Sequence, residues 1–479
     1  MSTLASHLPL IVFAALALSA SAATRPPNFI LINCDDLGCG DIGPFGSTRI
    51  KTPHLDRMAA EGMKLVDFHV TAGMCTPSRA SLMTGCYPKR VGMHLGAGGG
   101  WVLFPGNARG LHTDERTIAE VLKPRGYATA LIGKWHLGDQ PEFLPTRQGF
   151  DVFFGIPFSN DMGQMTNQGR TRTNAPPTPL MRGSEVIELE PDQRQLTRRY
   201  TGEAIRFIEA SRAQPFFLYF AHSMPHWPQF ASDDFAGKSR QGRYGDSVEE
   251  IDWSTGQILA RLKALDLDAD TFVLFTSDNG GPIPRGASNG PLRAGKGTTW
   301  EGGFRVPCLA RWPGKIPAGS VCRELAVTMD VLPTFAKLAG AEVPADRIID
   351  GKDIWPLLAG QPGAKTPHEA FFHYHLGQLQ AVRSGDWKLI LPHAAWPDAS
   401  APNQVTLKQP ELYNLAADIG ESKDVAAQHP DVAQRLMRLA EQCREDLGDD
   451  SLKLAGKHCR EPGHVKRART LTPVPPRPK

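Results

Sequence analysis

The chain has 479 residues, enough to bury a large core and to divide into two domains. Hydrophobic residues make up 41% and charged residues 22%, which excludes a disordered or membrane-embedded chain. A net charge of +3 is too small to argue for nucleic acid or a membrane surface as partner.

Residues 8–22 are a short apolar run ending in Ala20-Ser21-Ala22, a small-x-small cleavage pattern. The run reads as a secretory signal peptide over 1–22, too short to span a bilayer, although no Lys or Arg precedes it. A secreted or periplasmic protein without a membrane span is expected. Residues 28–33 then form a buried strand ending at Asp35-Asp36, and residues 54–61 a short helix stopped by Gly62. A helix is predicted from Thr76, as cap, and Pro77 to a stop near Gly85. Cys75 then lies at a helix N-terminus, where anions are favoured, with Arg79 one turn later. Residues 115–122 have helical spacing, and 127–132 form a strand leading to Lys134 and His136. Residues 143–195 show little periodicity and are expected to be a long excursion serving as lid or rim.

Beyond it, a helix (195–210) precedes a strand (216–220) that leads to His222 and His226. A helix (248–265) precedes a strand (271–276) that leads to Asp278-Asn279. Alternating strands and helices predict an α/β sheet with helices on both faces. Ligands of such sheets bind beyond the carboxyl ends of the strands, so Asp35, Asp36, Lys134, His136, His222, His226, Asp278 and Asn279 should meet at one edge.

After Gly360 the pattern changes to antiparallel strands (371–375, 379–383, 387–391, 411–415) and an amphipathic helix (431–446). The division expected is a catalytic domain over 23–365, a smaller α+β domain over 366–460, and a basic, Pro-rich, solvated tail over 461–479. The eight cysteines have no paired C-x-x-C spacing, which argues against a zinc ribbon. In an exported chain Cys308 with Cys322, or Cys443 with Cys459, are candidate disulfides, and spacing does not decide between them.

Cys75-Thr76-Pro77-Ser78-Arg79, followed by Ala80-Ser81-Leu82-Met83-Thr84-Gly85, resembles the signature of type I sulfatases. Further blocks are similar to that family, closest to its arylsulfatase A and N-acetylgalactosamine-6-sulfatase branch. They include Asn33-Cys34-Asp35-Asp36-Leu37-Gly38, Gly133-Lys134-Trp135-His136-Leu137-Gly138, Ser277-Asp278-Asn279-Gly280 and Gly295-Lys296-Gly297-Thr298-Thr299. The resemblance implies an alkaline-phosphatase-like α/β sandwich, with a central, mainly parallel sheet flanked by helices. It implies that a formylglycine-generating or anaerobic sulfatase-maturating enzyme oxidises Cys75 to formylglycine, whose hydrate attacks sulfate monoesters. It implies one Ca²⁺ held by Asp35, Asp36, Asp278, Asn279 and residue 75, a donor set of hard oxygens that suits calcium. Arg79 and Lys134 would hold the formylglycine, Lys296 and His226 the sulfate. His226 or Lys296 would protonate the leaving oxygen, and His136 would be the base that expels sulfate. His222 competes with His226, and Ser159 matches a substrate-side serine.

A sulfated carbohydrate is the expected substrate, met by a rim containing Trp101, Arg109, His112 and Arg147. The alternatives are a phosphate or phosphonate monoester hydrolase of the same superfamily, and a non-catalytic sulfoglycan-binding protein in which Cys75 stays unmodified.

Overall fold

The computed structural model describes residues 25–165, 174–395 and 406–471. The apolar leader and residues 472–479 of the tail lie outside the described residues. Among the described residues no helix is long and apolar enough to cross a membrane.

The strand Asn28–Cys34 is apolar at every position but Asn28 and Asn33 and is buried throughout, as a strand covered on both faces must be. It pairs in parallel with Thr271–Ser277 on one side and Phe216–Ala221 on the other. Ala128–Lys134 and Val152–Ile156 extend the parallel set. Antiparallel pairings continue the sheet on both sides, with Ser320–Cys322 added in parallel at one edge, giving a ten-stranded mixed sheet. Alternate residues point to opposite faces. Phe29 and Leu31 pack into one apolar layer with Leu82, Leu332 and Phe335. Ile30 and Ile32 pack into the other with Leu55, Ile208 and Leu259. The helices Cys75–Thr84 and Val331–Ala339 cover the first face, and Pro53–Ala60, Leu196–Ala210 and Gly242–Ala264 the second.

Residues 143–195 are not simply an excursion over the site. Val152–Ile156, Pro179–Arg182 and Glu185–Leu189 form the far edge of the main sheet. Short strands separated by turn residues gave little periodicity to read. The C-terminal part is a four-stranded antiparallel sheet, Phe371–His375, Gln378–Ser384, Trp387–Ile390 and Glu411–Asn414, against the helix Pro430–Leu447. Its Phe371, Val382, Leu389 and Leu436 belong to the same apolar layer as Phe29.

Two expectations are corrected. The segment 461–471 is solvent-exposed over 466–470 but is held to the domain on either side of that stretch. Gly463 and His464 pair with Gly110 and Arg109, and Leu471 packs on the core. All eight cysteines are free. Cys308 and Cys322 both pair with Leu65, from opposite sides. Strands ~4.8 Å apart put them ~10 Å from each other, beyond the ~7 Å reach of a disulfide. Cys443 contacts the Tyr374 hydroxyl, and the Cys459 thiol donates to the Leu447 carbonyl.

Candidate active site

The carboxyl ends of the central strands converge as the alternation predicted. Asp36 and His136, one at each of two strand ends, have φ of 72° and 63°. Non-glycine residues in this region are uncommon and collect at functional sites.

The Cys75–Thr84 helix is buried along its whole length, so Cys75 starts it inside the molecule, 2% exposed. Thr76 is not the cap expected of it. Its hydroxyl donates to the His136 carbonyl at 3.1 Å and accepts from the Leu103 amide at 3.2 Å. The Cys75 thiol donates to Asp35 Oδ1 at 3.4 Å, and Lys296 Nζ lies 3.7 Å from its sulfur.

Lys134 Nζ donates to Asp35 Oδ2 at 2.6 Å and to Ser159 Oγ at 3.1 Å. Lys296 Nζ sits 2.8 Å from Asp36 Oδ2. Arg79 binds Asp278 through Nε at 2.8 Å and reaches the Lys134 carbonyl at 3.0 Å. Three carboxylates thus face three fixed cations, a buried balance in which removal of one member strands another charge. Burial alone would raise the Asp35 carboxyl, but Lys134, His226, Arg79 and Lys296 hold it well below the usual range. Burial pushes Asp278 up to about 7, against Arg79 and with help from Asp35. Burial also raises the Cys75 thiol well above its ordinary value, against Lys134 and Lys296.

The two histidines separate clearly. His226 Nε2 lies 3.6 Å from Asp36 Oδ2, and its Nδ1 is 3.0 Å from Asn160 Oδ1. His222 is fully buried against the Phe220 ring, its nitrogens without hydrogen bonds, and burial lowers it to about 3. His136 Nε2 lies 2.9 Å from the Leu103 carbonyl. A carbonyl only accepts, so Nε2 carries the proton and Nδ1, buried and unpartnered, has the free lone pair. Burial, reinforced by Lys134, keeps this imidazole neutral, well below its ordinary value.

The oxygens of Asp35, Asp36 and Asn279 suit a hard divalent cation. Ligand atoms of Asp35, Asp36, Cys75 and His226 lie within 4.8 Å of one another. Asn279 Oδ1 is buried with no hydrogen-bond partner, while its amide nitrogen is satisfied by Asp36 Oδ1 at 2.7 Å. Asp278 stands with one oxygen on Arg79 and the other accepting the Asp36 amide.

Among the expected rim residues, Arg109 is engaged elsewhere, donating to the Gly92 and Gly96 carbonyls. Trp101 packs on Phe104, His112 lies beside Asp114, and Arg147 is exposed. Sequence reasoning missed Asn160 and the Leu103 carbonyl. Asn160 sits in the polar run after a strand, a signal that was available. A backbone carbonyl carries none.

The fold and the buried set of carboxylates, cations and cysteine define a hydrolase of charged monoesters. Residues 27–341 match the Sulfatase family and residues 295–446 the N-sulphoglucosamine sulphohydrolase C-terminal family. Arylsulfatase A of Homo sapiens is 42% identical over 88% of this chain and 89% of its own length. N-acetylgalactosamine-6-sulfatase of Canis lupus familiaris is 37% identical over 98% and 97%. Among solved structures, Ps i-CgsB in complex with k-i-k-neocarrahexaose superposes with a TM-score of 0.75 at 33% identity, over 87% of this chain and 92% of that one. The chain belongs to the sulfatase family and is a sulfatase enzyme, with the alkaline-phosphatase-like fold.

Proposed function

We propose that this sulfatase is exported, carries formylglycine in place of Cys75, uses one calcium ion, and removes sulfate from carbohydrates. The observation that carries the reading is the gathering of Asp35, Lys134 and Lys296 around Cys75 at the start of its helix. Formylglycine, as its hydrate, supplies one hydroxyl to attack sulfur and a second whose ionisation frees sulfate and restores the aldehyde. Asp35, Asp36, Asp278 and Asn279 would hold the calcium ion, which supplies positive charge for a sulfate oxygen and for ionising a hydroxyl. The unmet Asn279 Oδ1 supports this assignment.

The protein groups divide the remaining work. Arg79 and Lys134 hold residue 75 and its carboxylate neighbours in place. Lys296 and His226 bind the sulfate oxygens, where charge grows in the transition state. One of them gives the leaving oxygen its proton, and Asp278 accepts the proton of the attacking hydroxyl. His136, through Nδ1, takes the proton whose loss expels sulfate. Ser159 fixes the Lys134 ammonium and faces the substrate side. Export rests on the leader-like segment at 8–22, and maturation on the intact Cys75-x-Pro77-x-Arg79 run. A sugar substrate is supported by the similarity to N-acetylgalactosamine-6-sulfatase and to a structure bound to neocarrahexaose.

Mass spectrometry of the residue-75 peptide from active protein should show the aldehyde or its hydrate. Unmodified cysteine alone in active protein would refute the nucleophile. Activity should fall on chelation and return with Ca²⁺. Sulfated mono- and oligosaccharides should be cleaved in preference to the matching phosphates. Activity confined to aryl sulfates would remove the sugar.

A further inference from the structure

The residues after Arg460 cross the catalytic domain beside the site. The Arg460 amide donates to the Arg90 carbonyl at 2.6 Å, and its guanidinium holds Glu115 at 2.6 and 2.9 Å. Gly463 and His464 pair with Gly110 and Arg109, and the Val465 amide donates to the Ala108 carbonyl at 2.9 Å. Gln140 then exchanges two hydrogen bonds with the Arg469 backbone, at 2.9 and 3.0 Å. The same Gln140 donates to Asp139 Oδ1, and Asp139 Oδ2 accepts the Gly106 amide at 2.5 Å. Phe143 is wedged among three glycines. A Cβ on Gly110, Gly138 or Gly463 would come within 2.3–2.7 Å of it.

These contacts fix the loop from Leu103 to Gly110 along its outer side. On its inner side the Leu103 amide and carbonyl grip Thr76 Oγ1 and His136 Nε2. One loop is therefore tied to the C-terminal segment at one flank and to the catalytic histidine at the other.

We propose that residues 460–471 are a strap that positions the base: by holding the 103–110 loop, they keep the Leu103 carbonyl on His136 Nε2 and so leave Nδ1 free to take a proton. Gln140 and Val465 are positioning residues, since neither touches the reacting atoms. The proposal rests on the assignment of His136 as the base for sulfate release.

The test compares Gln140→Leu, Val465→Pro and a chain ending at Glu461 with the unaltered enzyme and with His136→Ala. Loss of the strap should lower kcat by ~10–100-fold, the cost of a ~1 Å misplacement. KM should fall with it, because only the second chemical step slows and kcat/KM stays within about twofold. Alcohol should appear in a burst ahead of sulfate. In protein that retains Cys75, amides of 101–110 should exchange faster in the strap variants. The His136 ring ¹⁵N signals, assigned by their loss in His136→Ala, should show a mixture of tautomers in place of one.

If kcat/KM falls in step with kcat, or the ring signals are unchanged, the strap only stabilises the fold and the proposal fails. The two point variants keep the test decisive should the shortened chain not fold. A His136→Ala enzyme with no burst would overturn the assignment of the base. A burst there but none in the strap variants would overturn the strap alone.

Discussion

Lys134 shows how closely the charges at the site depend on one another. Its ammonium is wholly buried between Asp35 and Ser159, and Asp35 keeps it charged against the pull of burial. Lys134→Ala should cut kcat/KM by about 10²–10³, as for a lost oxyanion donor, and leave Asp35 without its nearest cation. Steady-state kinetics on an aryl sulfate reads the first effect and thermal melting the second. His136→Ala is expected to differ in kind. Alcohol release should persist as a single burst while turnover of sulfate falls, because the role proposed for the imidazole lies only in the later step. Absence of the burst would move that role to another residue. Much of the site was legible because four of its blocks lie at strand ends, where a few consecutive side chains stand together, and the Cys75 block opens a helix. Leu103 was not, since it contributes a carbonyl that any residue would offer. Thr76 was read as a helix cap because its type suits one, yet here its hydroxyl ties the helix to the His136 segment.

At the scale of elements, one residue joins two of the three helices of the second face. Asp252, midway along Gly242–Ala264, accepts the Leu55 amide at 2.8 Å and the His54 amide at 3.2 Å. It serves the free N–H groups at the start of Pro53–Ala60, a task that Thr52 does not perform. Burial raises its carboxyl to about 7, against those two amide bonds, from about 4 in the unfolded chain. A folded-state value above the unfolded one favours the protonated form on folding. The stability contributed by this proton is full below about pH 4 and is lost as pH rises through about 7. Asp252→Asn should therefore cost more stability at pH 5 than at pH 8, as read by denaturant midpoints. Equal losses at both would show that the carboxyl is not shifted. The central strands were legible as unbroken apolar runs. Val152–Ile156 was not, because its five residues sit among Gly, Pro and Asp, and its neighbours Pro179–Arg182 and Glu185–Leu189 are too short to show a clear alternation.

The whole molecule is knit across the boundary that composition suggested near residue 365. Lys388, from the small sheet, lies 3.0 Å from Glu301 and 2.8 Å from Glu421, all three side chains fully buried. Arg383 binds Asp67 by two contacts and reaches His69 at 3.0 Å. Lys388→Met leaves two carboxylates in a dry interior and should destabilise the protein by ~3–5 kcal/mol, seen as a lower melting temperature. Residues 25–365 alone should not fold, since Phe371, Val382 and Leu436 complete a layer begun by Phe29. A single cooperative transition for the full chain, with no separate melting of its C-terminal part, is the matching calorimetric result. That closure bears on biogenesis. Cys75 has 2% of its surface open to solvent, at the root of a helix with no exposed residue. If Cys75 is converted as proposed, an oxidising enzyme could not reach such a thiol once the layers have met, and conversion would have to act on the nascent polypeptide. Native protein that escaped it with its cysteine intact should stay refractory to the maturase, yet become a substrate again when unfolded.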